Sequence, residues 1–333
     1  MQLITHSTNL LYLLNFSGSS GFLIRGENKN YFFTDFRYRQ IAEKLEKSNT
    51  RIPFEFVEMD KNFKEKLQKI CARSKTIEFE ANHVTVNGLN HWKKLLPKKK
   101  WQTIKNTPEK MRLTKDKSEI HALKKSQQIN GETLKRIKKL CKPGLTELEI
   151  AWKIKTIGHD LGTEDISFEP IVAFGPSSSS PHHQNGNRKL KKRDIVLIDM
   201  GMKYKGYCSD MTRTFFLGKP TTQQENVYQK VLDAQLAGIA QIKAGAKAAS
   251  VDKAARKSMG EDEKYFGHSF GHGIGLDVHE SPNLSSKSKD ILKENMIVTA
   301  EPGIYLPGKF GVRIEDMGRV TKTGYENFTK IVK

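Results

Sequence analysis

The sequence predicts an α+β protein with two domains, residues 1–112 and residues 113–333. The chain has 333 residues, which exceeds one typical domain and is enough to bury a substantial core. Over its first third, short apolar strands alternate with amphipathic helices, which is the pattern of a small α/β domain. A polar, strongly charged stretch that starts at Arg112 then leads into a long helix, so we place the domain boundary there.

The N-terminal domain is predicted to be a sheet covered by helices. Strands are expected at 21–25 and 31–35, with a turn between them, and 39–48 has the spacing of an amphipathic helix. Further along, the pattern predicts a helix near 62–74, a strand at 76–79 and a helix ahead of the basic segment 97–100. Strands that alternate with helices favour a layered unit.

The larger domain is predicted to begin with a long helix, because apolar residues between 120 and 140 recur at helical spacing and Pro143-Gly144 ends the segment. Thr146 and Glu149 form a capping box that starts the next helix. Later elements are predicted as a strand at 167–174 and outer helices at 222–243 and 251–259.

The cellular location is predicted from three features. The N-terminus has an apolar patch but no basic residue before Arg25, which is not typical of a signal peptide. No run approaches the roughly 18 apolar residues that a membrane helix requires. Cys71, Cys141 and Cys208 fall at unrelated spacings, which indicates a reducing compartment rather than a disulfide framework. We expect a soluble, cytoplasmic protein with no membrane partner.

The formal net charge is +20, with 57 Lys plus Arg against 37 Asp plus Glu. A balance this basic can reflect a nucleic-acid partner. The lysines are spread along the chain, however, and only 98–100 and 189–193 form clusters. A compositional bias or a solvated surface explains them better, so we expect no nucleic-acid partner.

Two acids, Asp199 and Asp210, lie in a predicted apolar hairpin. The nearly continuous hydrophobic run at 194–200 is typical of a strand covered on both faces. With the turn centred between Tyr204 and Lys205, Asp199 would face Asp210 with Cβ atoms roughly 5 Å apart. Two carboxylates this close cannot both ionise without a large penalty unless a cation lies between them, which predicts a metal site. Two solvent-facing acids on an edge hairpin are the alternative.

Further potential ligands follow in the second half of the chain. A glycine-rich segment contains His268, His272 and His279, and two short apolar strands each carry an acid, Glu301 and Glu315. Four carboxylates and one imidazole suit Mn, Co, Fe or Zn in a dinuclear site with an open solvent position.

The segment 175–186 is a loop by composition, since it is rich in serine, proline and glycine and ends in His182 and His183. It lies between two apolar strands. We therefore interpret it as a functional loop over the metal pocket rather than a disordered linker.

These residues resemble the creatinase, prolidase and aminopeptidase P group of metallopeptidases, and the match runs from about Asn15 to the C-terminus. The segments 15–21 and 34–38 resemble the N-terminal domain of the aminopeptidase P and prolidase branch, which methionine aminopeptidases lack. The resemblance implies a creatinase-like N-terminal domain, then a pita-bread catalytic domain with a curved, mainly antiparallel sheet and outer helices. It also implies a homodimer.

The resemblance assigns the five ligands residue by residue. It implies that Asp199 chelates one metal, that His272 and Glu301 hold the other, and that Asp210 and Glu315 bridge both. Glu301 would also carry a proton from the activated water to the leaving nitrogen. Manganese is the metal that we expect, with cobalt, zinc or iron as alternatives.

Other candidates lie outside the ligand set. The resemblance implies that His182 and His279 bind the substrate, where they would stabilise the developing oxyanion, and that His268 occupies another active-site position. His183 is expected to be an exposed neighbour. Arg313 is also included among the catalytic candidates.

Three functions are considered. The leading hypothesis is a Xaa-Pro aminopeptidase, a metal-dependent exopeptidase that removes the residue before a proline in second position. An Xaa-Pro dipeptidase (prolidase) is the alternative, and it would need a cation to hold the carboxylate of proline. The segment 279–301 contains lysines but no arginine for bidentate capture, which favours longer peptides, although Arg213 and Arg313 remain candidate anchors.

The third hypothesis is a non-enzymatic pita-bread protein that binds nucleic acid or another protein. The basic charge would favour it. Such relatives are expected to lose metal ligands, and all five are present here, so this hypothesis ranks last.

Overall fold

The computed structural model describes residues 1–105 and 107–333. They divide into two compact units, Met1–Arg112 and Leu113–Lys333. Each unit has a hydrophobic core of its own. Within the described residues, none of the helices combines the length and the apolar character needed to cross a membrane.

The first unit is a mixed sheet with five helices among its described residues. Its strands are β1 (Gln2–Ile4), β2 (Phe22–Arg25), β3 (Asn30–Thr34), β4 (Glu55–Glu58), β5 (Thr76–Phe79) and β6 (Lys100–Thr103). Its helices are α1 (Ser7–Leu14), α2 (Arg39–Glu46), α3 (Phe63–Cys71), α4 (Val86–Leu95) and α5 (Pro108–Arg112). The strand order is β4-β3-β2-β1-β5-β6. β2 runs antiparallel to β1 and β3, and the other pairs are parallel.

The predicted strands and helices of this unit are confirmed, but β1, β4, β6, α1 and α5 were not predicted. Leu3 and Ile4 of β1 and Leu13 of α1 are fully buried, and β1 lies between β2 and β5. A three-residue strand followed by an eight-residue helix shows no periodicity long enough to identify either element. The apolar N-terminal patch is therefore part of the core of the first unit.

The second unit consists of antiparallel strand pairs and four α-helices. Its helices are α6 (Lys117–Leu140), α7 (Glu147–Asp160), α8 (Thr222–Ile239) and α9 (Ala248–Met259). Its strands are β7 (Asp165–Ile166), β8 (Ile171–Phe174), β9 (Ile195–Met200), β10 (Met202–Tyr204), β11 (Tyr207–Cys208), β12 (Met211–Phe216), β13 (Gly271–Gly273), β14 (Glu280–Leu284), β15 (Ile297–Ala300), β16 (Gly303–Leu306), β17 (Phe310–Arg313), β18 (Asp316–Val320) and β19 (Tyr325–Asn327). They form the sheets β11-β10-β7, β12-β9-β8, β14-β13-β15-β18-β19 and β16-β17.

Two cores place the helices on the strands. In one, Ile137 of α6 and Ile154 of α7 belong to the same buried cluster as Ile198 and Met200 of β9. In the other, α8 and α9 pack with residues of β15, β16 and β17. Each fully buried aliphatic side chain contributes about 1.5–3 kcal/mol relative to an exposed one. Since side chains alternate along a strand, burial of Ile198 and Met200 against helices turns Asp199 to the other face.

The predicted capping box at the start of α7 is confirmed: the Thr146 side chain accepts from the Glu149 backbone, and the Glu149 side chain accepts from the Thr146 backbone. α6 begins with a second capping box, formed by Asp116 and Glu119. α6 ends at Leu140, before the predicted stop. These caps satisfy N–H groups that the first helical turn leaves without partners.

Gly271 lets β13 approach β15 closely. A Cβ atom added there would lie 2.2 Å from the backbone oxygen of Thr299, which cannot move aside as a side chain would. We expect Gly271→Ala to lower the free energy of unfolding by about 1–3 kcal/mol, measured by denaturant titration. Gly267→Ala is the matched control, because nothing lies within 4 Å of the added atom. Equal stability of the two variants would contradict the close approach.

Candidate metal centre

The hairpin that carries Asp199 and Asp210 has a different register from the predicted one. Asp199 pairs with Thr212, so the predicted pairing of the two acids is wrong by two residues. The turn is formed by Lys205 and Gly206, whose φ angles of 50° and 77° suit a two-residue turn with both central residues in the left-handed region. A shift by an even number of residues keeps each side chain on its predicted face, so both acids still face the same side.

The structure brings the five predicted ligands together. Asp210, His272 and Glu315 each offer a ligand atom, and these atoms lie within 4.8 Å of one another. His272 Nε2 lies 3.2 Å from Glu301 Oε1 and 3.7 Å from Asp210 Oδ2. The charge of Asp199 acts on both Asp210 and Glu315, raising the pKa of each. We call these five residues the carboxylate cluster.

Each member of the carboxylate cluster lies at or near the end of a strand. Asp199 lies in β9, Asp210 immediately precedes β12, and His272 lies in β13. Glu301 follows β15, and Glu315 lies between β17 and β18. The cluster therefore depends on the packing of separate sheets.

Gln235 of the outer helix α8 joins two of these strand ends. Its side chain is fully buried, and its Nε2 donates to the carbonyl oxygens of Ala300 at 2.8 Å and Ile314 at 3.1 Å. These residues directly precede Glu301 and Glu315. One amide group thus holds the backbone immediately before both acids.

The electrostatics of the carboxylate cluster favour a bound cation. Burial, and then the charges of Glu315 and Asp199, raise the pKa of Asp210 well above its usual range. Burial and the charge of Glu301 do the same to the pKa of Glu315. Burial would also raise the pKa of Glu301, but the hydrogen bond and charge of His272 outweigh it and lower that pKa to about 2. A positive charge among these groups would stabilise all of them in the ionised form.

The residues present fit divalent ions. Asp199 Oδ1, Asp210 Oδ1 and Glu315 Oε1 are buried and have no hydrogen-bond partner among the described residues. A buried carboxylate oxygen without a partner is costly, and a metal ion supplies that partner. Carboxylate-rich sets with one imidazole bind hard and borderline divalent metals.

Arg313 is buried against the carboxylate cluster. Its Nη2 donates to Asp199 Oδ2 at 2.6 Å, and its Nη1 donates to Tyr305 Oη at 2.7 Å and to the Pro181 carbonyl at 3.3 Å. Its Nε donates to Thr212 Oγ1 at 3.0 Å. The guanidinium therefore orients Asp199, and its donors are already engaged within the protein.

Arg213, the second candidate anchor for a substrate carboxylate, is engaged through both of its terminal nitrogens. Its Nη1 donates to the Glu315 carbonyl at 2.6 Å, and its Nη2 donates to Asp316 Oδ1 at 2.8 Å and to the Ile331 carbonyl at 2.8 Å. Only 3% of the residue is exposed. Arg213 is thus a structural residue that supports the backbone of Glu315.

Three predicted histidines surround the carboxylate cluster. His268 Nε2 lies 2.9 Å from Tyr305 Oη, and the ring of His279 meets that of His272 edge-on, with centroids 4.4 Å apart. His182 is exposed and close enough for its charge to lower the pKa of both His268 and His279. Burial is the largest cause of the lowered pKa of His268. His279 is an exposed residue, and its lowered pKa comes first from partial burial and then from the charge of His272.

A buried ion pair supports the chain next to His279. Lys115 Nζ lies 3.0 Å from Glu280 Oε2, and the two side chains are 1% and 8% exposed. Because Glu280 directly follows His279, this pair restrains the backbone that presents the imidazole. No motif in the sequence links these distant residues.

The expectation that His183 is an exposed neighbour is wrong. Its Nε2 lies 2.8 Å from Glu147 Oε2, and its side chain is 20% exposed against 1% for Glu147. Sequence reasoning also missed Glu147, which lies inside the capping box but leaves the capping contact to Glu149. An acid at the start of a helix usually faces solvent, so the sequence held no signal of its burial.

The comparisons with known proteins agree with this geometry. Residues 121–322 match metallopeptidase family M24, and residues 1–114 match the creatinase/prolidase N-terminal domain. A putative Xaa-Pro aminopeptidase of Mycoplasma pneumoniae is 37% identical over 95% of this chain and 88% of its own length. An Xaa-Pro dipeptidase of Pyrococcus horikoshii is 33% identical over 98% of this chain and 92% of its own length.

A solved structure extends the likeness to the fold. The Xaa-Pro dipeptidase from Bacillus anthracis has a TM-score of 0.95 and 35% identity, and the match covers 100% of this chain and 93% of that one. The predicted pita-bread fold is confirmed by this likeness. The chain therefore belongs to metallopeptidase family M24, and it is a hydrolase that uses divalent metal ions to act on peptides.

Proposed function

We propose that this protein is a Xaa-Pro aminopeptidase, which removes the first residue from peptides with proline in second position. The relatives include both a putative Xaa-Pro aminopeptidase and an Xaa-Pro dipeptidase, so family membership supports either activity. The observation that carries our choice is that Arg213 and Arg313, the two candidate anchors for a dipeptide carboxylate, are both buried and engaged.

Asp199, Asp210, His272, Glu301 and Glu315 would hold two divalent ions, with Asp210 and Glu315 shared between them. Manganese is proposed, and cobalt, zinc or iron are the alternatives, because the oxygen-rich set accepts each of them. The buried carboxylate oxygens that lack partners among the described residues support this assignment.

The residues of the chain divide the chemistry among them. When bound, the ions supply a hydroxide near neutral pH and polarise the scissile carbonyl. Glu301 accepts a proton and delivers it to the leaving nitrogen. His279, whose ring packs edge-on against that of His272, donates a hydrogen bond to the developing oxyanion. His182 and His268 orient the substrate, and Arg313 keeps Asp199 in place.

A dipeptidase must pair the carboxylate of its proline residue. The lysines between His279 and Glu301, namely Lys287, Lys289 and Lys293, are exposed on the surface. A mobile, solvated ammonium group holds a carboxylate less strongly than a preorganised arginine does. The described residues of the second unit therefore favour a peptide that continues beyond proline.

Two stretches would form the exit for the rest of the peptide, 177–185 and 306–311. They contact each other, since the Gly311 N–H donates to Ser178 Oγ at 2.9 Å. The tip of the second stretch, 307–309, is exposed. Small residues and an exposed tip are consistent with an open exit.

We expect an Xaa-Pro-Xaa tripeptide to be cleaved with a higher kcat/KM than the matching Xaa-Pro dipeptide, because the two candidate anchors, Arg213 and Arg313, already bind groups within the protein. Amidation of the tripeptide C-terminus should have little effect. Release of the N-terminal amino acid from each peptide, with Mn and Co added in turn to metal-stripped enzyme, is the measurement. A tenfold preference for the dipeptide, equivalent to ~1.4 kcal/mol of transition-state binding, would replace this proposal with a dipeptidase.

We propose a homodimer, a cytoplasmic location and no nucleic-acid partner, and we assign residues 1–112 and 113–333 as the two domains. The two compact units support the domain assignment, and the three buried, free cysteines support a reducing compartment such as the cytoplasm. Light scattering coupled to gel filtration would test the dimer.

A further inference from the structure

Glu147 is a buried carboxylate that no step of the proposed reaction uses. It is fully buried at the start of α7. Its Oε1 accepts from the Phe174 N–H at 3.0 Å, and its Oε2 accepts from the Gly186 N–H at 3.1 Å and lies 2.8 Å from His183 Nε2. Phe174 and Gly186 bound one loop, so a single carboxylate ties both ends of that loop together.

The loop between Phe174 and Gly186 carries His182. On the N-terminal side of His182, the Pro181 carbonyl accepts a hydrogen bond from Arg313 at 3.3 Å. On the C-terminal side, His183 is bonded to Glu147. His182 is exposed, and it lies between Pro181, which is held by Arg313, and His183, which is held by Glu147.

Glu147 is not needed to begin its own helix. The capping contacts of α7 are made by Thr146, which is half-buried, and Glu149, which is exposed. A carboxylate that accepts several hydrogen bonds makes stronger contacts than a neutral group would. The side chain of Glu147 thus contributes its contacts to the loop.

We propose that Glu147 is a positioning residue that orients His182 toward the substrate by holding His183 and Gly186. The inference rests on the proposed function in one respect, namely that His182 contacts the peptide. Displacement of a substrate-orienting group by about 1 Å can cost about 10²-fold in rate. Glu147 would act through the loop, and it would touch neither the substrate nor the ions.

The variant that tests the proposal is Glu147→Gln, which keeps the size of the side chain but replaces one acceptor oxygen with a group that can only donate. We expect kcat/KM to fall by about 10- to 100-fold while the metal content stays at its wild-type value. Glu149→Gln is the matched control on the same helical turn, because glutamine also serves in a capping box, and it should retain wild-type activity.

The double variant separates positioning from general stability. If Glu147 acts through His182, adding Glu147→Gln to His182→Ala should cause little further loss of kcat/KM. An equal fall in both backgrounds would overturn the proposal. If Glu147→Gln does not fold, His183→Ala removes the bond between His183 and Glu147 from the loop side and should give the same pattern.

A second readout does not require activity. Hydrogen exchange at the amides of 174–186, followed by mass spectrometry, should be faster in Glu147→Gln than in the wild type and unchanged in Glu149→Gln. Unchanged exchange in both variants would show that Glu147 does not hold the loop. If exchange is faster in Glu147→Gln but the wild-type protein cleaves no Xaa-Pro peptide, the contact between Glu147 and the loop is supported and the proposed function is rejected.

Discussion

Replacement of Asp210 or Glu315 by alanine is expected to remove both divalent ions from the protein and to abolish its peptidase activity. These acids lie within 4.8 Å of His272 and of each other, and each has a buried oxygen without a partner among the described residues. A ligand shared by two ions belongs to both coordination spheres, so its loss weakens both. Metal content per chain, measured by plasma mass spectrometry after gel filtration, is the test.

The control for this experiment is Asp160→Ala, an acid at the end of α7 whose side chain is 64% exposed. It should keep the wild-type metal content. If Asp210→Ala or Glu315→Ala retains one full equivalent of metal together with near-normal activity, the acid in question does not bridge the ions.

His279→Ala is expected to retain both ions but to lower kcat by about 10²-fold, as loss of one oxyanion donor typically does. The imidazole packs edge-on against His272, and His279 lies outside the five predicted ligands. Steady-state kinetics on a Xaa-Pro-Xaa peptide, with metal content measured on the same sample, separate the two effects.

His159→Ala provides a control for this second experiment, since its side chain is 84% exposed at the end of α7. It should match the wild type in both measurements. Loss of metal from His279→Ala, with normal turnover in the fraction that still carries metal, would make His279 a ligand or a structural residue instead.

The residue types of the site could be predicted from the sequence because each ligand interrupts an apolar strand or a glycine-rich segment. Asp199 is the clearest case, as an acid within a run that packs against helices on its other face. The register of its hairpin could not be predicted correctly. The turn depends on left-handed conformations at Lys205 and Gly206, and the lysine gives little indication of such a conformation.

The residues that support the site could not be predicted from sequence patterns. Gln235 and Glu147 both lie in helices, where a polar residue is usually solvated, and their partners are far away in the chain. Burial of a polar group becomes visible only once the fold has placed donors or acceptors around it. The same holds for Arg213 and Arg313, which the sequence left available for substrate and the structure engages within the protein.

The contact that Gln235 makes with the strand ends before Glu301 and Glu315 links the outer helix α8 to metal affinity. Ions that bind only the folded protein stabilise it by an amount that depends on their free concentration. Thermodynamic linkage is reciprocal. If Glu301 and Glu315 bind the ions, a change that loosens α8 should weaken metal binding, and removal of the metal should loosen α8. Substitutions at Gln235 and at the residues that pack α8 against the strands are therefore expected to tune the metal requirement of the enzyme without touching a ligand.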